Sequence, residues 1–261
     1  MNWFPQIGAG TLVQFPLRRK RMWRTISNDL ENGERILLPD GASGQVEWGL
    51  SYVDLSDTEA ENLRSLFASM RGQWGSFGFV DPLANLLAWS EDLSRPDWQL
   101  GLLSKSPGAS DPAGGQNAWT LSNGSAGEQS LNQSLELPGE YVTCFSAWVR
   151  ADTAGPVSLV RDGVRSTATV GPAWKRMYVT GAGTAGSSVS SFSVALAAGQ
   201  TAQVFGLQVE AQPFPSQYKP ASAAAGIYPE TSFGSDELTF THTGPGLSAC
   251  AVKLLSRVPT T

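Results

Sequence analysis

"FGFVDPLANLLAWSEDLSRPDWQ", residues 77 to 99, changes style partway through. Its opening, aromatic and apolar, reads as a buried strand that Asp81-Pro82 stops, because proline has no N–H to continue a ladder and holds the residue before it out of the helical region. From about Asn85 the text becomes that of another domain: short β-like runs spaced by Gly, Ser, Ala and Asn. Whether the first style ever returns decides the architecture.

Upstream, "QVEWGLSYV" places Val46, Trp48, Leu50 and Tyr52 on one face and Glu47, Gly49 and Ser51 on the other, the period of a half-buried strand. "LSDTEAENLRSLFASMRG" then predicts a helix capped by Ser56, with Glu59 completing a capping box and Gly72 closing it. Leu63, Leu66, Phe67 and Met70 form its apolar stripe, which needs a sheet to pack against. Before these, residues 22 to 38 hold two extended runs around Glu31-Asn32-Gly33, where Asn-Gly is expected to supply the positive φ angles of a tight hairpin.

Downstream, "AWTLSN", "QSLNQSLEL", "YVTCFSAWVRA", "PVSLVRDG", "RMYVTG", "SSFSVALAA" and "AQVFGLQVEA" recur at the intervals of an antiparallel sandwich. In "YVTCFSAWV" the alternation is too loose to assign faces. After "PFPSQYKPASAAAGIY" the opening style reappears: extended runs at 237–242 and 247–255 flank Thr243-Gly244-Pro245-Gly246. A lone terminal hairpin is marginal and needs a sheet to join. The expectation is therefore a mainly β protein in which residues 1–85 and 223–261 form one discontinuous β-rich domain with one helix, and residues 86–222 form an inserted antiparallel β-sandwich, jelly-roll-like.

The 261 residues are 41% hydrophobic and 16% charged with a formal net charge of −5, so nothing global draws the chain to nucleic acid or an acidic membrane. No apolar stretch approaches the ~18 residues of a membrane span, and the N-terminus does not read as a secretory signal. Cys144 and Cys250 stand outside any metal-ligand spacing, so neither a disulfide nor a metal site is expected. Arg18, Arg19, Lys20 and Arg21, with Arg24 close behind, are the conspicuous charge run: a solvated strand edge, or a contact arm onto an acidic neighbouring subunit.

"VEWGLSYVDLSDTEAENLRSLFASMRGQWGSFGFVDP" and the closing "FGSDELTFTHTGPGLSACAVKLL" resemble the distal tail and minor tail proteins of long-tailed phages and gene transfer agents. The middle, through "NLLAWSEDLSRPDW", "DPAGGQNAWTL", "CFSAWVRA", "WKRMYVTG" and "VFGLQVEAQPFPSQYKP", is similar to the carbohydrate-binding-module-like sandwiches grafted onto phage tail proteins. The resemblance implies a structural component of a phage tail tip: a ring, hexameric in the family, between tail tube and hub, with a projecting sandwich, assembled in the host cytoplasm. Its implied partners are copies of itself, the tail tube, the hub and other tail-tip proteins. A carbohydrate-binding adhesin that recognises a host cell-surface glycan is the alternative.

No enzyme is expected. His242 is the only histidine, set in a predicted strand, and no G-x-S-x-G elbow offers it a nucleophile. Glu91 and Asp92 are adjacent in an extended segment and point apart, so they do not make a glycosidase pair. "GTAG" and "DPAGG" lack the Lys-Ser or Lys-Thr of a phosphate cradle. The resemblance to such sandwiches, where hard oxygen ligands recur, points to Glu91, Asp92, Asp111 and Glu210 as the carboxylates a structural Ca²⁺ would use, but no metal and no cofactor is expected. Trp89, Trp98, Trp119, Trp148 and Trp174 are the sugar-contact candidates, since indole faces stack on sugars, although a sandwich core competes for the same side chains.

Overall fold

The structure, a computed structural model, describes residues 1–8, 14–40, 44–223 and 226–258. The chain forms two compact units, Met1–Val80 with Ile227–Thr261, and Asp81–Gly226. Asn85 shows why the first break precedes residue 85. Its amide donates to Leu207 O (2.9 Å) and Lys219 O (3.1 Å), and its carbonyl accepts from Val209 N (3.0 Å), all in the second unit.

The first unit opens with β1 (Arg18–Met22), β2 (Thr25–Asp29), β3 (Arg35–Pro39) and β4 (Gln45–Ser56), then α1 (Asp57–Met70) and β5 (Phe77–Val80). In β4 the expected alternation holds, with Val46, Trp48, Leu50 and Tyr52 all buried. Ser56 and Glu59 form the reciprocal capping box at the start of α1, a device worth about 1 kcal/mol. Burial would raise the Glu59 pKa, but the Ser56 hydroxyl and the backbone N–H groups of Ser56 and Gly8 outweigh it and hold the carboxyl below its ordinary range. Helix α1 ends on Arg71 in the left-handed conformation, one residue before the expected Gly72. Ala60, Leu63, Leu66 and Met70 are buried, while Phe67, half-buried, meets Phe233 edge-on at 5.0 Å.

The hairpin β2–β3 differs from expectation in its turn. Leu30 N–H donates to Glu34 O and Gly33 N–H to Leu30 O, which encloses three loop residues, and of these Gly33 alone has positive φ (86°). This is a type I turn followed by a left-handed glycine rather than a two-residue Asn-Gly turn.

The second unit contains β6 (Ser104–Ala109), β7 (Ala118–Ser122), β8 (Gln129–Leu135), β9 (Thr143–Arg150), β10 (Gly155–Arg161), β11 (Val164–Val170), β12 (Lys175–Gly181), β13 (Ser190–Leu196) and β14 (Thr201–Glu210). They make two antiparallel sheets, β11-β10-β13-β8 and β12-β9-β14-β7-β6. Phe145 of β9 meets Phe192 of β13 across the core at 5.9 Å. Sequence periodicity misses β6, where Pro107 sits in a register shift, and β11, a polar edge strand. Strand β9 now has faces: Phe145, Ala147 and Val149 point into the sandwich, while Cys144, Ser146, Trp148 and Arg150 point out.

The chain then returns with β15 (Ile227–Phe233), β16 (Phe240–Gly244) and β17 (Leu247–Arg257). Strand β17 pairs with β4 on one side and with β16 and β15 on the other, giving the sheet order β1-β4-β17-β15-β5. Strand β15 escapes sequence reading because it contains Pro229, which cannot donate to a ladder and falls in the register shift between Tyr228 and Thr231. The bridge between Trp3 and Gly78 covers β5, which leaves β1 as the other border of the sheet. Among the described residues no helix is long and apolar enough to cross a membrane.

Candidate functional site

The basic run folds as β1, and the period of a strand divides it. Arg18 lies opposite Gly49 and Lys20 opposite Glu47, so both share the sheet face of Lys253, which bonds Glu47 at 2.8 Å. Hydrogen bonding to Lys253, against some desolvation, together with the nearby charges of Lys20 and Arg18, holds the Glu47 carboxyl below its usual range. Arg19 lies opposite Trp48, with its guanidinium 5.3 Å from that ring, and Arg21 opposite Val46, on the core side of the sheet. Arg24 pairs with Asp40 and closes the base of the hairpin. One charge run in sequence is thus two cations over a groove, two on the opposite face and one hairpin clasp.

The hairpin beyond that clasp is a separate two-stranded sheet, and every residue of both strands is exposed. Ile26 pairs with Leu38, and Asn28 with Ile36, so one face carries three aliphatic side chains; Leu37 stands on the other. These four are between 44% and 59% exposed. Among the described residues no other strand pairs with this ribbon, and its aliphatic side chains stay exposed.

In the sandwich the five tryptophans divide by role. Trp98 is buried and donates through Nε1 to Trp89 O (3.0 Å), and Trp119 donates to Glu91 O (2.9 Å). Trp89 carries the Arg95 guanidinium 4.1 Å over its ring and is tied by its N–H to Ser222 O. These three fasten the 89–98 loop. Trp148 and Trp174 belong to the outer side of the five-stranded sheet.

A strap, residues 211–221, crosses part of that outer face. Gln208 accepts from Lys219 N (2.7 Å), and the fully buried Glu210 carboxylate accepts from Ser216 N (2.9 Å), Gln212 Nε2 (3.1 Å) and Lys219 Nζ (3.4 Å). Tyr218 packs edge-on against Phe205 at 5.3 Å. Gly206 (φ 63°) makes room at the crossing, since a Cβ there would sit 3.2 Å from Trp148 and 3.4 Å from Tyr218. Strand β9, paired beside β14, lacks clear alternation because both its faces are largely buried.

Beside the strap the exposed Tyr178 and half-buried Trp174 remain accessible, with Arg150 4.9 Å from the Trp174 ring and bonded to Gln203. Gln203 also lines a depression of about 380 Å³ with Thr120, Asp152, Thr153 and Gln200. Arg150 and Gln203 escape sequence reading, because only strand pairing brings them together next to Trp174.

His242 is exposed on β16, with Nδ1 3.3 Å from Ser248 Oγ. Cys144 is buried; desolvation, reinforced by Glu210 and opposed by Arg176, pushes its thiol up to about 12. His242 and Cys144 belong to different units. Asp92 is bonded by Ser94 and Arg95, and Asp111 by the N–H groups of Ala113, Gly115 and Asn117. Among the described residues no three His, Cys, Asp or Glu side chains are grouped to hold a metal.

No protein-family model matches the chain, and no curated protein does. Among solved structures it is similar to the enzymatically active domain of tailspike protein 4 of bacteriophage CBA120, at 13% identity and TM-score 0.39, over 51% of this chain and 22% of that one. It is also similar to TmCBM61 in complex with β-1,4-galactotriose (13% identity, TM-score 0.39, covering 48% of this chain and 97% of that one). A third likeness is to the C-terminal family 22 carbohydrate-binding module of Clostridium thermocellum Xyn10B (13% identity, TM-score 0.40, covering 51% and 97%).

Proposed function

We propose that this chain is a non-catalytic structural component of a phage tail tip, whose copies join into a ring between tail tube and hub, with the sandwich carried as an inserted module. The observation that carries the reading is the hairpin β2–β3: a separate ribbon, exposed on both faces and rich in aliphatic side chains, next to a sheet edge. A cyclic oligomer gives such an arm its missing partner without leaving open ends. The motif resemblance at residues 46–82 and 233–255 supplies the tail context. Sedimentation of the purified chain is expected to show a discrete oligomer of the 27.7 kDa protomer, and replacing Thr25–Pro39 by a short Gly-Ser link is expected to yield monomer. A full-length chain that stays monomeric at micromolar concentration overturns this.

The outer face of the five-stranded sheet favours a second reading, glycan binding by the sandwich. Trp174 supplies a stacking plane, and Arg150, Gln203 and Asp152 lie where hydroxyl groups of a sugar would be bonded. Binding on a glycan array that falls by about tenfold or more in Trp174→Ala, the loss of roughly 1.4 kcal/mol, is the expected result. Binding unchanged by that substitution removes this site.

A further inference from the structure

Resting on the ring reading, we infer how neighbouring copies meet: the acidic tip of the β2–β3 hairpin of one copy seats in the cationic groove beside β1 of the next. The tip carries Asp29, Glu31 and Glu34 against Arg35, which is paired with Asp29 at 2.6 Å, leaving two negative charges in excess (3 − 1 = 2). The groove carries Arg18, Lys20 and Lys253 against Glu47, with Arg19 also on its lining, so cations are in excess. The two surfaces are opposite in sign.

Shape agrees with charge. The groove, about 610 Å³, has a floor of small residues, Gly49, Ser51 and Ala251, between cationic rims. A narrow β-turn fits such a floor where a bulkier surface would not. The tip cannot be held by its own groove, because a five-residue strand at about 3.3 Å per residue carries it roughly 17 Å from its base, and both strands stay exposed throughout.

Charge also selects the geometry. Two β1 edges placed side by side would oppose eight cations, Arg18, Arg19, Lys20 and Arg21 from each copy, so a symmetric edge-to-edge pairing is disfavoured. Tip into groove is a contact between unlike surfaces, and such a contact closes into a ring when its rotation allows. The Ile26, Ile36 and Leu38 face of the hairpin supplies apolar burial, and the charges set orientation and partner.

The test uses the full chain in three forms: unaltered, tip-reversed (Glu31→Lys with Glu34→Lys) and groove-reversed (Arg18→Glu with Lys20→Glu). All reversed positions are exposed, so circular dichroism and thermal unfolding should match the unaltered chain. Sedimentation should show each reversed form associating about a hundredfold more weakly, since like charges placed together cost several kcal/mol. An equimolar mixture of the two should regain assembly, as each tip then meets an opposite groove. Association of the unaltered chain should also weaken as ionic strength rises from about 0.1 M to about 1 M, where the screening length falls from ~10 Å to ~3 Å.

Reversed forms that assemble like the unaltered chain, or that fail to rescue one another, overturn the tip-to-groove contact and leave the ring reading standing. An unaltered chain that never associates removes both.

Discussion

Arg161→Ala is expected to lower the unfolding temperature of the sandwich by roughly 10–20 °C, because breaking a buried charged network costs about 3–5 kcal/mol and each kcal/mol moves a unit of this size by a few degrees. Arg161 ends β10 and is fully buried. Its Nε donates to Thr143 Oγ1 (2.7 Å), and one terminal nitrogen donates to Tyr141 O (2.7 Å) and Gly139 O (3.3 Å). The other terminal nitrogen faces Asp162 Oδ2 at 3.6 Å. Desolvation draws the Arg161 pKa below the ordinary arginine value, and Asp162 pulls it back.

The guanidinium therefore joins one sheet of the sandwich, through β10, to the start of β9 in the other and to the loop before it. Alanine removes the guanidinium donors to Thr143 Oγ1, Tyr141 O and Gly139 O and the cation beside Asp162, although Gly139 O keeps Gly183 N–H and Asp162 keeps Ser191 N–H. Lysine keeps the charge but not the planar fork, so Arg161→Lys should recover only part of the loss. Differential scanning calorimetry reads both. A shift in Arg161→Ala below about 3 °C, under roughly 1 kcal/mol, would show that the polar staple is dispensable.

Trp48→Ala is the second large effect, expected to cost the discontinuous unit about 3–5 kcal/mol. The Trp48 indole is fully buried, 5.1 Å from the Phe79 ring and 5.8 Å from that of Tyr228. Its Nε1 donates to Ser256 Oγ (3.2 Å), which lies 2.8 Å from Thr231 Oγ1. One side chain thus touches β4, β5, β15 and β17, elements from both ends of the chain.

Its loss should loosen the returning strands first, so amide exchange at residues 227–233 and 247–257 should accelerate while that of the sandwich strands holds. Trp48→Phe keeps most of the aromatic volume and should cost less. Denaturant unfolding combined with exchange measured by mass spectrometry checks the prediction. A cost under about 1 kcal/mol would mean that the two chain ends are joined by something other than this cluster.

Local chemistry was legible without coordinates. Trp48 and its neighbours alternate because β4 has one wet and one dry face, and α1 begins at Ser56 because that hydroxyl satisfies an N–H the helix leaves open. Strands became illegible where local and tertiary demands disagree. Pro229 hides β15, since its missing donor is tolerated only because a register shift excuses that position from the ladder. In β9 both faces are largely buried, so no wet and dry alternation marks the strand.

The candidate surfaces divide the same way. Residues near one another in the chain dictate a mainly β protein with a capped helix, a hairpin near residue 32 and a basic run before it, because propensity, period and turn chemistry act over a few residues. Folding alone sets Arg18 and Lys20 on one face with Lys253 while Arg19 turns to Trp48, lets Arg161 bridge two sheets, and joins Trp174 to Gln203 through Arg150. Those neighbours lie tens to hundreds of residues apart, and long-range strand pairing, which no local pattern encodes, is what brings them together.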